Sequence, residues 1–215
     1  MMSFFTENTA EILLKTWEHL YISFIAILIG TLLAVPLGIL LSKTKKITKI
    51  VLTITSMLQT VPSLALLAIM IPFLGVGKTP AIIALCIYSL LPILNNTFTG
   101  MQSVNENVKA AGRAMGMTPA QSLRMVELPL AMPIIMSGIR LSAVYVISWA
   151  TLASYIGAGG LGDYIFNGLN LFKIDLIVGG AIVVTLLALV VDFLLSRVER
   201  SMIPKGLRIQ GGRSS

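Results

Sequence analysis

KAAGRAMGMTPAQSLRMVELPLAMP, residues 109–133, decides how the chain is read, because it is a polar interruption with its own helix punctuation inside an otherwise lipid-soluble sequence. Two short helices are predicted around it. Ser103-x-x-Glu106 reads as one capping box and Thr118-Pro119-x-Gln121 as another, with proline at the first helical position. Gly116 falls between them, where a left-handed backbone ends the first helix without a Cβ clash, and Pro129 and Pro133 bracket the return to apolar sequence. A helix, Gly turn, helix unit carrying Val108, Ala111, Met115, Leu123 and Val126 offers an apolar ridge that can lie in a partner's groove. An ordinary connecting segment has the same spacing.

Composition sets the surroundings of this unit. The chain is 56% hydrophobic and 12% charged, with a mean hydropathy of +0.90, which the surface of a water-soluble domain does not tolerate. Apolar runs at about 20–41, 50–74, 80–98, 132–156 and 174–198 each approach the ~20 residues that a helix needs to cross ~30 Å of hydrocarbon. An all-α integral membrane bundle of five transmembrane helices is expected, since only helices satisfy their own backbone in lipid without closing a barrel. Basic residues fall in the first connection (Lys43, Lys45, Lys46, Lys49), the third (Lys109, Arg113, Arg124) and the tail (Arg197, Arg200, Lys205, Arg208, Arg213), while the second and fourth carry only Lys78 and Lys173. The N-terminus is therefore expected outside and the C-terminus inside, which puts residues 109–133 in the cytoplasm. Membrane orientation accounts for the +7 net charge, and nucleic acid is not expected as a partner.

The domain reading is an N-terminal interfacial segment at 1–19, a transmembrane domain at 20–198 and a cytoplasmic tail at 199–215. Glu7, Glu11 and Glu18 against Lys15 are the wrong charge for a signal peptide, so no cleavage is expected. A short interfacial helix from Thr6 to Trp17 is predicted instead, with Trp17, His19 and Tyr21 at headgroup depth. Cys86 reads as a small packing residue of the third span. Gly30, Ala34 and Gly38 recur every four residues and form a small-residue ridge for close helix contact.

Ala110-Ala111-Gly112, three residues, Gly116, nine residues, then Val126-Glu127-Leu128-Pro129 resembles the EAA loop of permease subunits from binding-protein-dependent ABC importers. In that family the loop is the coupling helix that seats in a cleft of the ATPase subunit. The resemblance implies ATPase coupling by Ala110, Ala111, Gly112, Arg113, Met115, Gly116, Met117, Thr118, Leu123, Val126, Leu128 and Pro129. The family's usual glutamate is Ala110 here, its usual alanine is Gly112 and its isoleucine is Val126. Residues 149–170 and Pro204-Lys-Gly-Leu207 are similar to segments of osmoprotectant permeases of the OpuC and OpuB type, the group that handles glycine betaine, carnitine, choline and related quaternary amines. That likeness implies a type I importer permease (MetI-like) fold in a bacterial cell membrane. Its implied partners are a second permease subunit, either a copy or a homologue, two cytoplasmic ATPase subunits that hold the ATP and Mg, and an extracellular solute-binding protein. No cofactor is implied for the chain itself.

Four further features carry expectations. Gly157-Ala-Gly159-Gly160-Leu-Gly162 matches the dinucleotide fingerprint by letter, but a predicted membrane span precedes it and no βαβ unit surrounds it, so the Rossmann reading is rejected. Its glycines instead let the backbone turn tightly and approach another helix at the mouth of a pathway. Gln59-Thr-Val-Pro62-Ser63 breaks the second span and leaves a carbonyl without its donor, either to line a pathway or for packing alone. Tyr145, Trp149 and Tyr155 are candidate contacts for a quaternary ammonium, and also fit the aromatic belt of a membrane interface. Arg140 and Asp192 are ionisable groups inside predicted spans, which calls for mutual pairing or for snorkelling of Arg140. No Walker motif, metal-ligand cluster or nucleophile with a nearby base is present in the sequence, so a transport subunit rather than an enzyme is expected.

Overall fold

The computed structural model describes residues 8–203, and those residues form helices and short connections without a strand. Helix α1 (Thr9–Leu41) is followed by α2 (Lys45–Thr60), α3 (Ser63–Leu74) and α4 (Lys78–Gln102). Two short helices, α5 (Glu106–Ala114) and α6 (Pro119–Ser122), lead through a π-helical turn (Leu123–Glu127) into α7 (Leu128–Ala153). A 3-10 turn (Ser154–Ile156), α8 (Gly162–Asn170) and α9 (Ile174–Ser201) complete the described chain. The motif 204–207, the start of the predicted interfacial helix at Thr6 and most of the tail lie outside the described residues.

Helix α4 is the central post, packed mainly against α1 and α7. Lipid tails are as apolar as leucine, so helices in a bilayer associate through close van der Waals contact and interhelical hydrogen bonds. The small residues of α1 serve that end. Gly30 abuts Ser89 and Gly38 abuts Thr97, where a Cβ on Gly38 would come within 2.7 Å of the threonine side chain. Buried Ser142 of α7 donates to the Ser89 carbonyl at 3.0 Å, tying the third helix in. Ile22, Ala26, Leu85, Val146 and Ala150 fill the core among these three helices, and Cys86 packs there too.

Three expectations are corrected. Among the described residues no separate interfacial helix precedes the first span: α1 is one unbroken helix of 33 residues, since nothing between Thr9 and Pro36 interrupts its ladder. Its ~50 Å exceeds the ~30 Å hydrocarbon core. His19 does not face the lipid interface but is 0% exposed, inside the protein. Ser103 does not cap α5; its hydroxyl turns back to the Gly100 carbonyl, and Asn105 caps in its place by accepting from the Asn107 N–H at 2.8 Å.

The second span is broken rather than straight. Residues 47–60 and 63–74 meet at 93°, with Val61 extended and Pro62 opening α3. Among the described residues four helices are long and apolar enough to cross a membrane, or five when the bent pair counts as one span.

Candidate functional site

The polar unit is locally self-supporting. Glu106 pairs with Arg113 at 3.1 Å and with Lys109 at 3.5 Å. The hydrogen bond from Arg113, reinforced by the Lys109 charge, holds the Glu106 carboxyl below its ordinary pKa. Its contribution to α5 is thus present above the ordinary carboxylate range and is lost as pH falls through the lowered value. Helix α5 ends in a complete Schellman motif, with the Gly116 N–H donating to the Arg113 carbonyl at 3.0 Å and the Met117 N–H to the Gly112 carbonyl at 3.1 Å. That turn requires Gly116 at φ +80°. Met117 folds its sulfur against Gly112, where a side chain would stand 3.2 Å away.

Helix α6 opens with a reciprocal capping box: the Gln121 N–H donates to Thr118 Oγ1 at 3.3 Å and the Thr118 N–H to Gln121 Oε1 at 2.8 Å. The next turn widens so that the Leu128 N–H reaches the Leu123 carbonyl, just before Pro129, whose ring cannot donate to Met125. Ser122 donates to Glu127 across this turn at 3.1 Å. The run 119–156 is consequently one continuous helical rod from α6 to the far side of the bundle.

The expected ridge is divided. Val108, Ala111 and Met115 are exposed, as are Ala110, Arg113 and Pro129. Leu123, Val126 and Leu128 are half-buried, and Leu123 and Leu128 pack on Met101 and Val104. Met125, 66% exposed next to Met115 at 71% in the same unit, is a large apolar side chain that the sequence reading passed over.

At the bend, Tyr88 links the two helices through its carbonyl and its hydroxyl. Pro92 cannot supply the donor that the Tyr88 carbonyl would receive in a regular helix, and Gln59 Nε2 donates to it at 2.9 Å. The Tyr88 hydroxyl in turn donates to the Val61 carbonyl beside Pro62 at 2.6 Å. Ser63 begins α3 directly after the break. Tyr88 also starts an aromatic row, its ring 4.7 Å from Trp149, which lies 5.4 Å from Tyr145. Gln59, Pro62, Trp149 and Tyr145 are thereby brought together through Tyr88, a residue not singled out from sequence. Tyr155 is not part of that row; it pairs with Phe166 at 5.5 Å and is 71% exposed.

The glycine run receives the polar end of α1. Gly157, at φ +75°, closes the 3-10 turn. The Gly160 N–H donates to Glu18 Oε2 at 3.2 Å, and the Leu161 N–H donates to His19 Nδ1 at 3.3 Å. His19 Nε2 lies 2.9 Å from the Ile147 carbonyl. An amide can only donate and a carbonyl only accept, so the imidazole is neutral with its proton on Nε2. Lys15 bridges to Asp163 at 2.6 Å and Lys78 to Glu18 at 3.1 Å. A Cβ on Gly159 would come 2.7 Å from the Glu18 carboxylate, and one on Gly160 3.1 Å from His19 Nδ1. Gly160→Ala, at φ +90°, is expected to destabilise the protein by about 1–3 kcal/mol, read as a lowered melting temperature of the purified protein. An unchanged melting temperature would show that the loop does not depend on this seat.

Between α7 and α9, Arg140 grips Asp192 with Nε at 2.6 Å and Nη2 at 2.8 Å, and Nη1 reaches Glu199 at 3.1 Å. Glu199 was not anticipated, although it follows Asp192 by two helical turns on the same face.

The profile of the "binding-protein-dependent transport system inner membrane component" family matches residues 26–204. The chain is 59% identical over 208 residues to the carnitine transport permease protein OpuCB of Listeria monocytogenes, covering 97% of this chain and 95% of that one. It is 55% identical to the glycine betaine/carnitine/choline transport system permease protein OpuCB of Bacillus subtilis (strain 168), and 54% identical to the choline transport system permease protein OpuBB of the same strain, each over 97% of this chain and 96% of theirs. Among solved structures, an inward-facing conformation of the MetNI methionine ABC transporter superposes with a TM-score of 0.80 at 24% identity, covering 89% of this chain and 96% of that one.

Proposed function

The chain belongs to the binding-protein-dependent transport system inner membrane component family, and from that membership we propose that it is the membrane-spanning permease subunit of an ATP-driven importer of quaternary-ammonium osmoprotectants. The near full-length identity to carnitine, choline and glycine betaine permeases carries this reading. Likeness to the methionine transporter concerns the fold alone.

Coupling to the motor runs through α5, Gly116 and α6. This unit is exposed, braced by its own caps and continuous with a rod that crosses the bundle, so a displacement of its tip is carried into α7 as rigid motion. ATP and Mg act on two cytoplasmic ATPase subunits, a second permease subunit completes the pathway, and an extracellular binding protein delivers the solute. The N-terminus is outside and the C-terminus inside, which sets the coupling unit at residues 103–129 on the side of the ATPase. The transmembrane domain spans 20–198, with α1 extending outward beyond it and 199–215 forming the tail.

Trp149 and Tyr145, backed by the buried ring of Tyr88 beside the Pro62 bend, are a fitting wall for a solute cation, because a ring face attracts a quaternary ammonium by ~0.5–2 kcal/mol per contact. Gln59 and Ser63 add polar edges, while Tyr155 and the glycine run form the outer rim. Trp149→Ala at unchanged expression is expected to weaken apparent solute affinity by about two- to thirty-fold in uptake assays; unaltered uptake would remove the aromatic row from the pathway. The defining experiment is uptake by the assembled transporter in competition with betaine, carnitine, choline and methionine. Competition by methionine alone, or uptake without any ATPase, would overturn the assignment.

A further inference from the structure

An apolar crevice of about 340 Å³ lies between α1, α7 and α9 and takes no part in the features described above. It follows α1 from Leu20 to Thr31, with Ile139, Ile147 and Val191 among its other walls. Eleven helical steps cover ~16 Å, about one leaflet of a ~30 Å hydrocarbon core. On α7, Ala143 of the crevice is turned roughly 120–160° from Trp149 and Tyr145 at 100° per residue, so crevice and aromatic row occupy different sides of the helix.

One wall residue is chemically out of place. Ser23 lines the crevice and is 2% exposed, and its Oγ has no hydrogen-bond partner among the described residues. A buried hydroxyl without a partner is unfavourable. It lies one helical turn inside His19, which is fixed in the polar network at the outer end of α1. A donor at the head of an apolar slot of leaflet length matches an acyl chain attached through an ester, whose carbonyl sits at the boundary between headgroups and hydrocarbon.

We propose that this crevice binds one acyl chain of a membrane glycerophospholipid, with Ser23 Oγ donating to the ester carbonyl. The ligand is part of the fold's packing and is independent of the transported solute. The test reconstitutes the assembled transporter with phosphatidylglycerol carrying a photoactivatable diazirine at mid-chain, in ester-linked and ether-linked forms, and maps labelled peptides by mass spectrometry. Labelling is expected to concentrate on 20–31, 139–147 and 191–195, with the ester lipid labelling about five-fold more than the ether lipid. Ser23→Ala, which removes one oxygen and adds no bulk, is expected to erase that ratio. Labelling spread evenly over the lipid-facing helices would overturn the proposal. So would absence of label because a second copy covers the crevice, or equal labelling by ester and ether lipid in the unmodified chain; the last comparison needs no variant.

Discussion

Replacing Gly116 with valine is expected to abolish ATP-driven uptake, by more than about tenfold, while leaving the chain inserted and folded. The residue sits at φ +80°, where an L side chain costs ~1–2 kcal/mol and a β-branched one more. No atom lies within 4 Å of where its Cβ would be, so the penalty is purely one of backbone and is confined to the turn. The chain escapes it by opening the Schellman motif, which releases Met117 from Gly112 and swings α5 away from α6. The α1, α4, α7 core lies elsewhere and keeps its packing. Uptake in proteoliposomes, beside membrane content and melting temperature, separates the two effects. Gly116→Asn, which tolerates the left-handed region, is expected to keep most of the activity. Normal uptake by the valine variant would count against coupling through this turn.

Arg140→Met is expected to be the most damaging single change to stability. The guanidinium satisfies two carboxylates at once, and Leu141, Val144, Ala188 and Leu189 surround the group. Removing the cation leaves Asp192 and Glu199 uncompensated beside apolar side chains; because the cluster is only partly buried, the loss is about 2–3 kcal/mol, less than for a fully buried pair. The measured consequence is a melting temperature lower by roughly 5–10 °C. Arg140→Lys keeps the charge without the two-pronged grip on Asp192 and is expected to fall between. Combining Arg140→Met with Asp192→Leu and Glu199→Leu is expected to recover much of the loss, because replacing a whole partly buried charge cluster by apolar residues leaves no charge unpaired. A triple variant as unstable as the single one would mean that the cluster holds α9 by geometry rather than by charge balance.

What could be read from the chain followed the reach of the interactions. The capping box at Thr118 and the left-handed turn at Gly116 involve partners within one helical turn, and both were legible. The box at Ser103 failed for the same local reason: Asn105, two residues on, competes for the role of cap and takes it. The burial of His19 is not legible locally, because its partners Ile147 and Leu161 lie 128 and 142 residues away. The glycine run was correctly freed from the dinucleotide reading, but what it approaches, Glu18 and His19, belongs to a segment assigned to the headgroups. Proline at position 62 announced an interruption; the 93° turn depends on Tyr88 and Gln59 meeting across two helices, which no local pattern contains.

That meeting limits how this sequence can vary. Pro92→Ala alone would return a backbone donor to the Tyr88 carbonyl and strand the Gln59 amide; Tyr88→Phe would strip the Val61 carbonyl of its proton donor. Pro92 in the third span and the elbow in the second are therefore interlocked, like two leaves on one hinge pin. Neither can be altered by a single substitution without orphaning a polar group, so the joint survives or disappears only as a unit.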